Sequence, residues 1–393
     1  MTIPVKKIST FCKTGSGGTP SRSNNAFFEN GTIPWVKSGE LKNRYITEVE
    51  EYITDFAVEK SSAKLVSKGS LLIAMYGATV GEVSQLTFDA TTNQAICNIE
   101  PDENVCDVNY LYRFLEASKS YLLSRRVGGG QPNISQSVIK DLDVPLPPLA
   151  EQRRIASILD QADELRQKRQ QAIEKLDQLL QATFIDMFGD PVSNPKGFEV
   201  KKLSEQVDLI QIGPFGTQLH QEDYIENGIP LINPSHIKNG KIIPNHKLTV
   251  SQSKYEELTQ YHLRLNDVLL GRRGEMGRCA VVTQNEVGWL CGTGSLFLRL
   301  NVEKINPFFL EMLLSSDSIK RYLENVSQGQ TMANLNKTIV GSIPLIAPSI
   351  EIQNKFFLIS EEINKMKTEL ENSKNQVNNL FQSLQNHAFN GTL

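Results

Sequence analysis

Between Leu149 and Phe188 the apolar residues return at alternating steps of four and three: Ile155, Leu159 and Ala162, then Ile173, Leu176 and Leu180. Ile158, Leu165 and Leu179 widen the stripe, and Arg166 and Arg169 interrupt it midway. That spacing keeps one helical face apolar and predicts a heptad seam. The boundaries agree, because Pro145, Pro147 and Pro148 cannot sit inside a helix and Gly189 and Pro191 end the run. A helix over 148–188 follows, on the order of 55 Å long at 1.5 Å per residue. In a globular protein such a helix serves as a spacer or an oligomerisation rod.

The same pattern occurs twice. At a constant shift of 201 residues Asn133 falls on Asn334, Pro147 on Pro348 and Gln152 on Gln353, and the stripe continues in register through Phe356, Ile363, Val377 and Phe381. Two copies of about 200 residues mean a tandem duplication rather than a solenoid of short repeats. The order is domain 1–147, helix 148–188, domain 189–347, helix 348–393. A second rod can pack its seam on the first only by running antiparallel. The apolar positions then pair Ile155 with Leu384, Leu159 with Leu380 and Leu176 with Ile363, and set Glu174 beside Lys365.

Each domain reads as a mixture of strands and helices, so the fold class is α+β (mixed α/β) with pseudo-two-fold internal symmetry. Residues 69–83 form a buried strand, a Gly77/Gly81 turn and a second strand; 267–282 mirror them. Residues 109–126 have helical spacing, answered by the stripe Phe308, Leu310, Leu313, Ile319 and Leu323.

Composition narrows the function. The 393 residues are 39% hydrophobic and 22% charged, enough for a large core and more than one domain. No run of 18 apolar residues exists and the N-terminus lacks a signal core, which predicts a soluble cytoplasmic protein with no membrane partner. Five cysteines without C-x-x-C spacing argue against a disulfide framework or zinc site. Net charge is −3, so nucleic-acid binding must come from local patches.

Motifs for chemistry are missing. The glycine loop at 14–18 lacks the phosphate-loop pattern, there is no dinucleotide or methyl-donor fingerprint, and the five histidines show no metal-binding pairing. Asn233-Pro234-Ser235-His236 departs from an amino-methyltransferase motif, and residues 55–60 read as a solvated helix. What remains suits recognition. Arg272-Arg273-Gly274-Glu275 occupies a turn from which long side chains can project; arginine matches guanine O6/N7 and glutamate can accept from cytosine N4. Arg125 and Arg126 lead into a loop with Gly129 and Gln131, and the counterpart loop carries Gln328 and Gln330, amides that suit adenine. One basic turn alone is equally well a solvated one; matching loops in both copies favour binding.

These residues together resemble the specificity (S) subunit of type I restriction–modification systems. The carriers are PLPPLAEQRRIA at 145–156 with its heptad helix, FGDP at 188–191, IPWVKSGEL at 33–41 and the segment GPFGTQL…DYIENGIPLINPSHI at 213–237. The second rod departs from the fuller P-P-L-x-E-Q form and carries Lys367 and Lys374. The resemblance implies two target recognition domains, each reading half of a bipartite double-stranded DNA sequence, spaced by the rods. It also implies a bacterial or archaeal complex with two modification subunits and restriction subunits. S-adenosylmethionine, ATP and Mg are expected on those partners, with no cofactor, metal or catalysis on this chain. Candidate DNA contacts are Lys37, Asn93, Gln94, Arg125, Arg126, Gly129, Gln131 and Asn133 in the first copy. In the second they are His236, Arg272, Arg273, Glu275, Gln328, Gln330 and Asn334. Two other classes stay open: a nucleic-acid-binding scaffold without enzyme partners, and a methyltransferase or nuclease with an unrecognised site.

Overall fold

A computed structural model describes residues 3–127, 133–327 and 335–393. The chain divides into two compact units, residues 1–171 with 371–393, and residues 172–370. Each long helix therefore contributes one half to each unit.

In the first unit a five-stranded sheet has the order Cys12–Ser16, Ile96–Pro101, Leu71–Ala74, Val83–Leu86, Tyr45–Ile46. A four-stranded sheet follows the order Tyr52–Ile53, Ile33–Val36, Ala90–Thr92, Leu65–Val66. Strand Leu71–Ala74 is buried along its whole length, which is why it reads as an unbroken apolar run. The helical stripe at 109–126 is two helices, Val108–Ala117 and Lys119–Ser124, broken at Ser118, whose hydroxyl bonds Phe114 O at 2.8 Å. Asp107 caps the first through the N–H groups of Asn109 and Tyr110. Residues 55–60 are a short helix capped by Thr54.

The second unit repeats this plan. Val207–Ile212, Ser295–Leu300, Val268–Gly271 and Cys279–Val281 form one sheet, and Tyr224–Ile225, Thr249–Val250, Ile229–Ile232 and Leu290–Cys291 the other. The parallel pairing of Trp35 with Thr91 is matched by that of Leu231 with Leu290. Asn306 caps helix Pro307–Ser315 as Asp107 caps its counterpart.

The long helices run Leu149–Phe188 and Ile350–Asn390. Gly189 and Gly391, at φ +72° and +74°, end them, a conformation glycine adopts without steric cost. The helices pack antiparallel. In the first unit Arg169 Nε donates to Ser373 Oγ at 3.1 Å and Lys374 Nζ to Gln170 Oε1 at 2.5 Å. In the second, Lys367 pairs with Asp177 at 2.5 Å. This register lies a little over one turn beyond the pairing the seam alone suggests. Leu380, expected against Leu159, is 55% exposed, while Leu159 is buried in the domain core. Arg166 also joins the contact: its guanidinium stacks 4.3 Å from the Phe381 ring, so the break in the seam is itself a packing contact.

Of the seam positions, Ile155, Leu159, Ala162, Ile173, Phe356, Ile363 and Phe381 are buried, and Leu176, Leu180 and Val377 are half-buried. Several are more than a seam. Ile155, Leu159, Ala162 and Phe381 belong to the core formed with Tyr110, Leu111 and Phe114.

A buried glutamine joins each helix to its domain. Gln152, 1% exposed, accepts the Asp107 N–H at 2.9 Å and donates to Val105 O at 3.0 Å and Pro147 O at 2.9 Å. Gln353 repeats the arrangement with Asn306, Lys304 and Pro348 at 2.9, 3.4 and 2.8 Å. The rest of the junction differs. Arg113, fully buried, spans Asp160, Glu116 and Asp163 at 2.7, 2.9 and 3.1 Å. In the second unit the corresponding core is aromatic, with Phe188 packing on Phe309, Phe184 and Phe356 at centroid distances of 4.7, 5.1 and 5.6 Å.

Candidate nucleic-acid interface

In the first unit four connections meet at one end of the five-stranded sheet. The Met75 N–H donates to Ala95 O at 2.7 Å, and its carbonyl accepts from the Ile134 N–H at 2.9 Å. The turn after Leu71–Ala74 is thereby fixed between the Asn93–Ala95 loop and the segment that Val127 and Asn133 close by reciprocal backbone bonds of 3.0 and 3.1 Å. The Asn93 N–H donates to Val36 O at 2.9 Å and the Thr79 hydroxyl to Ser38 O at 2.7 Å, which adds the turn at 37–40. Lys37, Asn93, Gln94, Arg125, Arg126 and Asn133 thus lie on one group of loops, although the chain separates them by up to 96 residues.

Their side chains differ in availability. Lys37 is engaged by Glu50 at 2.7 Å and Glu51 at 2.9 Å, and hydrogen bonding to Glu50 first and Glu51 second raises its pKa. Glu51 also holds Arg22, whose guanidinium lies 4.7 Å from the Phe28 ring and 5.0 Å from that of Trp35. Asn93 braces its own loop by accepting the Ala95 N–H at 3.2 Å. Gln94 is exposed and accepts the Thr19 hydroxyl. Arg125 and Arg126 are exposed; the first stacks 5.0 Å from the Tyr121 ring and the second bonds Leu123 O at 2.9 Å. Asn133 is half-buried. Gly129 and Gln131 lie outside the described residues.

The second unit builds the same confluence. The Arg272 N–H donates to Gly294 O at 2.9 Å and its carbonyl accepts from the Leu335 N–H at 3.1 Å, the bonds Met75 makes in the first unit. Asn233 Oδ1 accepts the Gly294 N–H at 3.3 Å, and Arg278 Nη1 donates to Pro234 O at 3.1 Å.

Two sequence expectations are corrected here. Arg272 does not project from the turn: it is 8% exposed and its Nε donates to Leu335 O at 2.8 Å, so it braces the loop from inside. Burial lowers its pKa, with neighbouring Arg273 adding to the effect. His236, the other candidate DNA contact here, is buried as well. It is 5% exposed, its Nδ1 accepts the Asn233 N–H at 3.3 Å, and burial lowers its pKa and favours the neutral ring.

Arg273 and Glu275 are exposed at the tip, Glu275 paired with Arg278 at 2.6 Å. Gln328, Gln330 and Asn334 lie outside the described residues. Sequence reasoning missed Tyr76, 39% exposed one residue beyond Met75 as Arg273 lies one beyond Arg272. An aromatic followed directly by the turn glycine Gly77 was the available signal.

Among the described residues no group of three or more His, Cys, Asp or Glu side chains could hold a metal ion, and no helix is long and apolar enough to cross a membrane. The five cysteines are unpaired, and burial pushes the Cys12 and Cys97 thiols up to about 12.

The model of the type I restriction modification DNA specificity domain matches twice, over residues 2–175 and 195–379. The chain belongs to this family. The two matches coincide with the duplication and together cover most of the sequence. Among relatives, the specificity subunit of the type I restriction enzyme MjaIX from Methanocaldococcus jannaschii is 30% identical over 259 residues, 61% of this chain and 59% of that protein. The chain thus spans about six-tenths of that relative's length. The MjaVIII specificity subunit of the same organism is 24% identical over 373 residues, 87% of this chain and 86% of that protein. A solved structure from work on complex assembly and conformational transition of the type I R-M system superposes with TM-score 0.64 at 18% identity, covering both chains completely. At that identity the likeness concerns the fold alone.

Proposed function

We propose that this chain is the DNA-reading subunit of a bacterial or archaeal type I restriction–modification complex. Each unit reads one half of a bipartite double-stranded target through its loop confluence, and the long helices set the distance between the halves. The observation that carries this reading is the repetition of one loop-bracing scheme, Met75 with Ala95 and Ile134, Arg272 with Gly294 and Leu335, under different exposed residues. A constant brace under variable tips, Tyr76 in one copy and Arg273 in the other, is what reading two different half-sites requires.

The helices support a second part of the reading. In the second unit Leu179, Leu358 and Met366 are 49%, 62% and 44% exposed and line an apolar groove with Ile359 and Ile363. The 201-residue shift carries Leu179 to Leu380, and Leu165 to Met366; Leu380 and Leu165 are 55% and 49% exposed in the first unit. Two related apolar patches suit two copies of one partner, the modification subunit. Restriction subunits complete the complex, and S-adenosylmethionine, ATP and Mg reside on the partners in this reading.

The test replaces Arg273 by Ala in the assembled complex. Preference should relax at one or two positions of a single half-site, at about 1–3 kcal/mol per base contact. A uniform loss of affinity with a smaller salt slope would mark Arg273 as a phosphate contact instead.

A further inference from the structure

Because the two units repeat one topology, positions where their charges differ stand out. In the first unit the Ala74 N–H donates to Glu82 O at 3.0 Å; in the second the Gly271 N–H donates to Arg278 O at 2.8 Å. Glu82 and Arg278 are therefore counterparts. A β-carbon on Gly81 would meet Lys119 Cγ at 3.4 Å, and one on Gly277 would meet Lys320 Cγ at 2.5 Å, so Lys119 and Lys320 are counterparts too. The first unit closes this place with a Lys119–Glu82 ion pair. In the second unit the acid has become an arginine, and two cations face a common space.

That space is a cavity of about 390 Å³, with Lys320, Arg278 and Cys279 in its wall and Lys238 exposed at its rim. The first unit carries a different residue here. Tyr112, the fifth residue after the helix cap as Glu311 is, lies buried with the Arg44 guanidinium 4.7 Å from its ring. Glu311 instead lines the cavity, where burial pushes its carboxyl up to about 7 against the pull of Lys320. At neutral pH such a group readily keeps a proton and can donate it in a hydrogen bond. Arg278 is only partly neutralised: Glu275, its partner, is 60% exposed at the mouth.

We propose that this cavity receives a backbone phosphate of the DNA read by the second unit, held by Lys320 and Arg278, with Lys238 at the entrance. The proposal rests on the DNA-reading function. It gives the second unit an anchor that the first, with its internal ion pair, lacks.

The experiment measures affinity of the complete complex for a duplex carrying its methylation target, as a function of salt. Lys320→Gln should reduce the slope of log K against log salt by about 0.9 and weaken binding roughly eightfold at 0.1 M salt, equally for every base substitution in the target. Arg278→Glu rebuilds the first unit's ion pair with Lys320 and should weaken binding at least as much, with thermal unfolding of the variant measured alongside because the change also removes the Arg278–Pro234 bond. Lys238→Gln, at an exposed site, should lower the slope without touching the cavity wall. Unchanged slopes in all three, with wild-type complex binding its target, overturn the phosphate site alone. Absence of target-specific binding by the wild-type complex overturns the DNA-reading function with it.

Discussion

Replacing Gln152 by Ala should unlock the first long helix from its domain. The side chain is 1% exposed and makes three hydrogen bonds of 2.9–3.0 Å to backbone groups on two segments, Val105–Asp107 and Pro147. The substitution leaves one N–H and two carbonyls without these partners. Each buried group so stranded costs about 1–3 kcal/mol. Allowing for water entering the space, the sum comes to about 3–5 kcal/mol. Gln353→Ala should cost less, since one of its bonds is 3.4 Å long. The exposed Gln161 serves as control, with an effect within about 0.5 kcal/mol. Two units make a single global unfolding energy ill-defined, so the assay is native-state hydrogen exchange read on helix Val108–Ala117, which Asp107 caps. At about 1.4 kcal/mol per decade, a 3 kcal/mol loss lowers protection there on the order of a hundredfold. A change in Gln152→Ala no larger than in Gln161→Ala would refute the latch.

Two further substitutions probe the junction and the helices. Arg113→Met, which installs the residue type found at the corresponding second-unit position Met312, leaves Asp160 to Arg44, Asp163 to Arg166 and Glu116 to Gln385, and should destabilise the first unit by about 1–3 kcal/mol, measured by the same exchange experiment; an effect below about 0.5 kcal/mol would contradict it. Leu179→Asp with Met366→Asp should reduce the modification subunits bound from two to one, read by native mass spectrometry, and Leu380→Asp with Leu165→Asp should do the same; full occupancy in both would remove the groove from the docking surface.

The rods and the duplication were legible because both are periodic: the heptad spacing of Ile155, Leu159 and Ala162 and the 201-residue shift need no three-dimensional knowledge. The helix register was not, because a heptad seam matches itself when slid by about a turn, and the polar pairs Arg169–Ser373, Lys374–Gln170 and Lys367–Asp177 that mark it lie off the apolar stripe. The candidate loops were found individually through their glycines and arginines. Their convergence was hidden, since it depends on parallel pairing between segments about 55 residues apart, Trp35 with Thr91. Arg272 and Arg273 look interchangeable in sequence. The sheet separates them, burying the residue that follows strand Val268–Gly271, with its backbone bonded on both sides, and freeing the next. Tyr76, carrying no charge, gave no signal of that kind.

The central claim, two readers of separate half-sites on one ruler, is tested most directly by mapping adenine methylation across the genome of a host carrying this chain with its modification subunit. One bipartite motif with a fixed unspecified gap is expected. Exchanging residues 200–340 for those of another family member should change one half of the motif and leave the other half and the gap intact. A continuous motif, or an exchange that alters both halves at once, would contradict the account.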